Sequence, residues 1–152
     1  MAESKYLHKS HNVSVLLYHV VCTVKYRRVV CSEHVDEVVR DVCLEIAQRY
    51  EMSFLEMGTD RNHRQFLIQS VPTYSPTKSV QTVKSLTARQ VFARAPEVKK
   101  QLWGGEFWGD GYFVTTVGQH GNEHGIATYI RKQGKEQGYK QLHKQPLQLE
   151  LF

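Results

Sequence analysis

An α+β fold is predicted for this chain, a single antiparallel sheet with helices on one face. Three observations predict it. A β-branched and aromatic run stands near the start, two later stretches carry apolar residues at helical spacing, and two strand-like runs are separated by only three polar residues. Taken in order, the elements read β-α-β-β-α-β-α. That is the ferredoxin-like, RRM-like split βαβ sandwich with one helix added at the C-terminal end.

Residues 14–24, Ser-Val-Leu-Leu-Tyr-His-Val-Val-Cys-Thr-Val, suit a central strand because branched and aromatic side chains pack well on a pleated surface. Lys25-Tyr26-Arg27-Arg28 follows at its end. Residues 33–50 place Val35, Val38, Val39, Val42, Ile46 and Tyr50 three and four apart, one stripe of a helix. Valine forms helices weakly, so the pattern outweighs propensity here. Ser32 can cap this helix, and Glu33, Asp36 and Glu37 suit the positive end of its dipole.

Residues 52–59 and 63–70 read as strands, and the link Asp60-Arg61-Asn62 is short enough for a hairpin. Val71 to Pro76 is a loop. A second helix over 77–94 aligns Val80, Val83, Thr87 and Val91, with Lys78, Lys84, Arg89 and Arg94 elsewhere on it. Gly104-Gly105 and Gly109-Asp110-Gly111 punctuate an aromatic segment, after which residues 112–117 form a strand. A third helix is expected over 122–133, stopped by Gly134. The division is therefore a domain over 1–134 and a loosely ordered Lys- and Gln-rich tail over 135–152.

With 152 residues and 41% apolar composition, the chain is long enough for one domain with a real core. Twenty Lys and Arg against 15 Asp and Glu give a formal charge of +5, compatible with a nucleic-acid partner without requiring one. Cys22, Cys31 and Cys43 are odd in number and contain no C-x-x-C pair, which fits a reducing cytoplasm better than a disulfide framework. The N-terminal residues lack the apolar core of a secretory signal, and no run is long enough to span a membrane. His8 and His11 have no matching downstream pair for zinc, and the glycines at 104–111 do not follow a strand as a dinucleotide loop must.

Two short pieces carry chemistry. On a strand His63 and Gln65 face the same side, and an imidazole nitrogen and an amide oxygen can both ligate Mg²⁺ or Mn²⁺. On a helix Tyr129 and Gln133 share a face, so Gln133 could supply a third ligand. Tyr129 lies beside Arg131 and Lys132, which favour a phenolate and attract a phosphate. A tyrosine nucleophile would divide strand cleavage into two easier steps.

At these residues the chain resembles the HUH-type single-tyrosine transposases of the smallest bacterial insertion sequences and their domesticated RAYT relatives. The similarity runs from about His11 to Gln133. It rests on Lys25-Tyr26-Arg27-Arg28, Thr59-Asp60-x-Asn62-His63, Phe113-Val114-Thr115-Thr116-Val117-Gly118 and Tyr129-Ile130-x-x-Gln133. The resemblance implies a single-stranded DNA transposase with Tyr129 as nucleophile, and His63, Gln65 and Gln133 as ligands of Mg²⁺ or Mn²⁺. It further implies a homodimer that recognises DNA hairpins near element ends, with the added helix able to serve the partner's site. Lys25, Arg27, Arg28, Lys78, Lys84 and Arg89 would contact phosphates, and Trp103, Phe107, Trp108 and Tyr112 are candidates for stacking on unpaired bases.

The chain departs from the family's His-hydrophobe-His motif, which here reads His63-Arg64-Gln65. Exchange of imidazole for amide should weaken metal binding, and Arg64 puts a charge where an apolar core contact is expected. A tolerated variant, an altered metal preference and a decayed copy all fit this departure. Asp60, His120 and His124 are further residues of ligand type. Two other readings stand beside transposition: a domesticated RAYT-like hairpin nuclease and a non-catalytic hairpin-binding module.

Overall fold

The computed structural model describes residues 8–9, 12–13, 16–25, 32–59, 63–101, 106–117 and 140–144. In chain order these form β1 (His8–Lys9), β2 (Asn12–Val13), β3 (Leu16–Val24), α1 (Glu33–Arg49), β4 (Ser53–Thr59), β5 (His63–Ser70), α2 (Pro76–Arg94), α3 (Pro96–Gln101), β6 (Trp108–Val117) and β7 (Lys140–Lys144). β1 and β2 pair with each other, and the other five strands form an antiparallel sheet in the order β6-β3-β5-β4-β7. The first four positions of that order are the split βαβ arrangement, in which β5 separates β3 from β4. The α+β prediction is met.

Alternation along the strands decides which side chains meet the helices. Tyr18, Val20, Cys22 and Val24 of β3 join Phe66 and Ile68 of β5 in one core with Val35, Val39, Val42 and Ile46 of α1 and Val80, Val83 and Val91 of α2. The valine stripe of α1 therefore folds as a helix because tertiary burial outweighs weak propensity. Both long helices begin at a serine cap. Val35 N donates to Ser32 Oγ at 3.2 Å, and Lys78 N donates to Ser75 Oγ at 3.0 Å, with Pro76 opening α2.

Three sequence expectations change. First, β6 begins at Trp108 instead of residue 112, because Gly109 and Gly111 are extended and the strand pairs with β3 as far as Trp108 opposite Val24. A bulge between Cys22 and Val24 absorbs the mismatch. Second, residues 140–144 are an edge strand on β4 and not part of a loose tail. Lys-Gln-Leu-His-Lys has no strand signature of its own, and backbone pairing to the open edge of β4 overrides that. Third, two of the aromatics considered for base stacking are core residues. Phe107 and Trp108 are 1% and 6% exposed, their rings meet in a T-shape at 4.8 Å, and Trp108 Nε1 donates to Thr87 Oγ1 at 2.8 Å. Thr87 in turn donates to Val83 O at 2.6 Å, so one hydroxyl satisfies both the indole and its own helix.

The third helix predicted over 122–133, with Tyr129 and Gln133, lies outside the described residues, as do Arg27, Arg28, Asp60, Trp103, His120 and His124.

Candidate metal and nucleic-acid site

β5 has two faces. Arg64, Phe66 and Ile68 point toward the helices, and His63, Gln65, Leu67 and Gln69 point the other way, as their pairing with β3 requires: His63 lies opposite Thr23, and Gln65 opposite Val21. The predicted same-side placement of His63 and Gln65 is present. His63 is half-buried and Gln65 is buried.

His19, which sequence reasoning missed, completes this arrangement. It is buried at 1% exposure, one strand away from Gln65 on the same face. Its Nε2 and the Gln65 carbonyl oxygen Oε1 are 3.0 Å apart. An amide oxygen only accepts, so His19 donates through Nε2–H. Burial holds the His19 imidazole below its ordinary range, against a smaller upward pull from Gln65, which favours the neutral ring. The His63 imidazole and the oriented Gln65 oxygen are both donor types that a divalent ion can use. Among the described residues no group of three or more His, Cys, Asp or Glu forms a metal cluster, so these two donors need a partner from elsewhere. A signal for His19 did exist, since it is the one imidazole in an apolar strand and a buried polar group requires a partner. The identity of that partner, 46 residues away, was not readable.

Arg64 occupies the core side, where the sequence predicted an apolar contact, and at 2% exposure it is fully enclosed. Asp36 on α1 lies 2.7 Å from its Nε, an ionic contact outside linear hydrogen-bond geometry. Burial pushes the Asp36 carboxyl up by more than Arg64 pulls it down. The charged residue in the motif is thus answered by a carboxylate from the helix layer and does not face the His63 side of the sheet.

Lys25 is ion-paired with Glu106 at 2.5 Å. Lys78 sits 4.7 Å above the Tyr74 ring. Lys84 turns toward β6, donating to Gly109 O at 2.9 Å and Asp110 O at 3.3 Å. Arg89 is exposed on α2. Tyr112 is half-buried, with its hydroxyl 3.5 Å from Thr77 Oγ1. The exposed aromatic is its neighbour Phe113. No described helix is long and apolar enough to cross a membrane.

Residues 12–133 match the family model described as "Transposase IS200 like". The chain is 30% identical over 118 residues to the ISDra2 transposase TnpA of Deinococcus radiodurans, covering 78% of this chain and 84% of that protein. It is 26% identical over 119 residues to the transposase for insertion sequence element IS200 of Salmonella typhimurium, covering 78% and 77% respectively. Among solved structures, a protein assigned as a transposase from Deinococcus radiodurans R1 superposes with a TM-score of 0.65 at 27% identity, covering 84% of this chain and 97% of that one. A REP-associated tyrosine transposase bound to a REP hairpin shares the fold, with a TM-score of 0.58 at 9% identity over 91% of this chain and 75% of that one.

Proposed function

The chain belongs to the IS200-like transposase family, and on that premise we propose that it cleaves and rejoins single-stranded DNA through a 5′-phosphotyrosine intermediate on Tyr129. The observation that carries this reading is the pair His63 and Gln65 on one face of β5, with Gln65 held by His19. His63, Gln65 and Gln133 would hold Mg²⁺ or Mn²⁺, and a bound ion of this kind supplies Lewis-acid polarisation of a phosphoryl oxygen. His19 keeps the Gln65 oxygen oriented. Arg64 stays on the opposite face, so the change in the middle of the motif does not alter the donors.

The Tyr129 oxygen attacks phosphorus in line, the bond to the 3′ oxygen breaks, and the products are a 5′-phosphotyrosine and a free 3′ hydroxyl. A 3′ hydroxyl of another strand then attacks the phosphotyrosine and releases Tyr129. The number of phosphodiester bonds is conserved, so no ATP is consumed. The substrate we propose is single-stranded DNA with hairpins near the element ends, and the working unit a homodimer. Hairpin binding by a protein of the same fold supports the choice of substrate.

The test is a covalent-adduct assay with end-labelled hairpin DNA on a denaturing gel. A band that needs Mg²⁺ or Mn²⁺, is absent with chelator, and disappears in Tyr129→Phe is the expected result. An undiminished band in Tyr129→Phe rules out this nucleophile, and binding without any adduct favours a hairpin-binding module.

A further inference from the structure

Beside His63 the sheet surface has a hollow of about 300 Å³, lined by Val21, Thr23, His63, Gly109, Gly111, Tyr112 and Phe113. All but Tyr112 belong to the face away from the helices, at alternate positions of β3, β5 and β6. Its size is at the lower end of the roughly 300–1,000 Å³ of small-ligand pockets. The hollow exists because β6 carries glycine where an alternating strand would place side chains. A Cβ added at Gly111 would meet no heavy atom within 4 Å, whereas one at Gly109 would lie 3.3 Å from Thr23 O. A side chain at Gly109 would crowd the β3 backbone, whereas the space above Gly111 is open.

Phe113 stands on the same face two positions on, and at 56% exposure it is the one large exposed hydrophobic among the described residues. A T-shaped contact with the His19 ring, 6.3 Å between centroids at 74°, anchors it. Phe113 thus offers an apolar ring face at the rim of the hollow. A group seated in the hollow meets an aromatic ring on one side and the Thr23 hydroxyl on the other. It must be flat enough to lie on bare strand backbone. An unpaired nucleobase has this chemistry: a π-face to stack and a polar edge to hydrogen-bond.

We propose that this hollow takes one unpaired nucleobase, stacked on Phe113, and so positions the strand that passes His63. The assignment to a transposition substrate rests on the function proposed above. The base site itself rests on Phe113, Gly111 and their surroundings.

The test uses short single-stranded oligonucleotides with 2-aminopurine at each position in turn, in chelator so that no cleavage intervenes. With the wild-type protein, binding quenches the probe at one position. Phe113→Ala removes the platform and Gly111→Leu fills the space. Each weakens binding about tenfold, as loss of one base–aromatic stack would, and Phe113→Trp preserves the quenching. Thermal melts check that the variants remain folded, which the exposure of Phe113 and the open space at Gly111 favour. Wild-type protein that quenches no probe, or variants that bind and quench like wild type, overturn the proposal. A protein that quenches as expected yet never forms a covalent adduct keeps the nucleobase site and removes the transposition chemistry. One that forms the adduct while Phe113→Ala is indistinguishable from wild type does the reverse.

Discussion

Replacing Arg64 with Met should destabilise the protein strongly, and replacing Arg64 and Asp36 together should not. Arg64 is 2% exposed and the Asp36 side chain 12% exposed, so water screens this pair little. Removing one partner of such a pair costs roughly 3–5 kcal/mol because a buried charge is stranded. Asp36 retains some access to water, which places Arg64→Met near about 3 kcal/mol, while Asp36→Leu strands the more enclosed guanidinium and should cost more. With a urea m-value of about 2 kcal/mol/M for a domain of this size, 3 kcal/mol lowers the midpoint by about 1.5 M. The double variant Arg64→Met/Asp36→Leu should return to wild-type stability or exceed it by about 1–4 kcal/mol, since desolvation of both charges disappears with their attraction.

The direction of the Asp36 shift agrees. Its folded carboxyl titrates above the ordinary 3.8, so the folded state binds more protons than the unfolded state in the window just above that value. Stability should therefore fall as pH rises through this window, and further up the scale in Arg64→Met, where the opposing cation is gone. Urea melts followed by circular dichroism at several pH values measure both effects. Equal stability of wild type and Arg64→Met, or additive losses in the double variant, would refute the claim that the two charges answer each other.

Other outcomes follow from the same contacts. Thr87→Val leaves the Trp108 N–H without its acceptor and should cost about 1–3 kcal/mol in a urea melt, with a shift in tryptophan fluorescence. Burial holds His143 below the usual 6.5, so the unfolded state binds more protons beneath that value. Stability should decline from pH 7 toward pH 5, less so in His143→Asn, as read from melting temperature against pH. Leu142→Pro should disrupt β7, uncover the edge of β4 and raise self-association, detectable by light scattering. His19→Phe should leave the fold intact but raise the Mg²⁺ or Mn²⁺ concentration needed for adduct formation about tenfold or more, as loss of a ligand's orienting partner does. An unchanged metal requirement would show that Gln65 needs no support from His19.

The sequence was most readable where geometry leaves no choice. Strand alternation alone put His63 and Gln65 on one side and Arg64 on the other, and the stripe Val35 to Ile46 announced a helix although valine disfavours one. The cap at Ser32 follows from local chemistry. What escaped depends on distant partners. Nothing near Arg64 announces Asp36, nothing near His19 announces Gln65, and the polar residues of β7 become a strand only because β4 offers an edge. Trp108 and Phe107 have the composition of a stacking surface, but the hydroxyl of Thr87 draws them into the core. Gly109 and Gly111 looked like punctuation because a break and an opened strand surface look alike in one dimension.

The central strand β3 bears on when the site can exist. It pairs with β5 and also with β6, and Leu17 lies opposite Val117, about 100 residues away along the chain. Closing so long a loop is slow relative to forming the β4–β5 hairpin. During synthesis, β3 must wait with one edge open while both long helices are made, and His19 can meet Gln65 well before Phe113 arrives. His63 and Gln65, two of the three proposed ligands, therefore come together before Phe113 is in place, and Gln133 follows both. A ribosome-bound chain stopped before β6 lacks Phe113 and the proposed Tyr129 and Gln133, which would delay DNA engagement until nearly the whole domain has been translated.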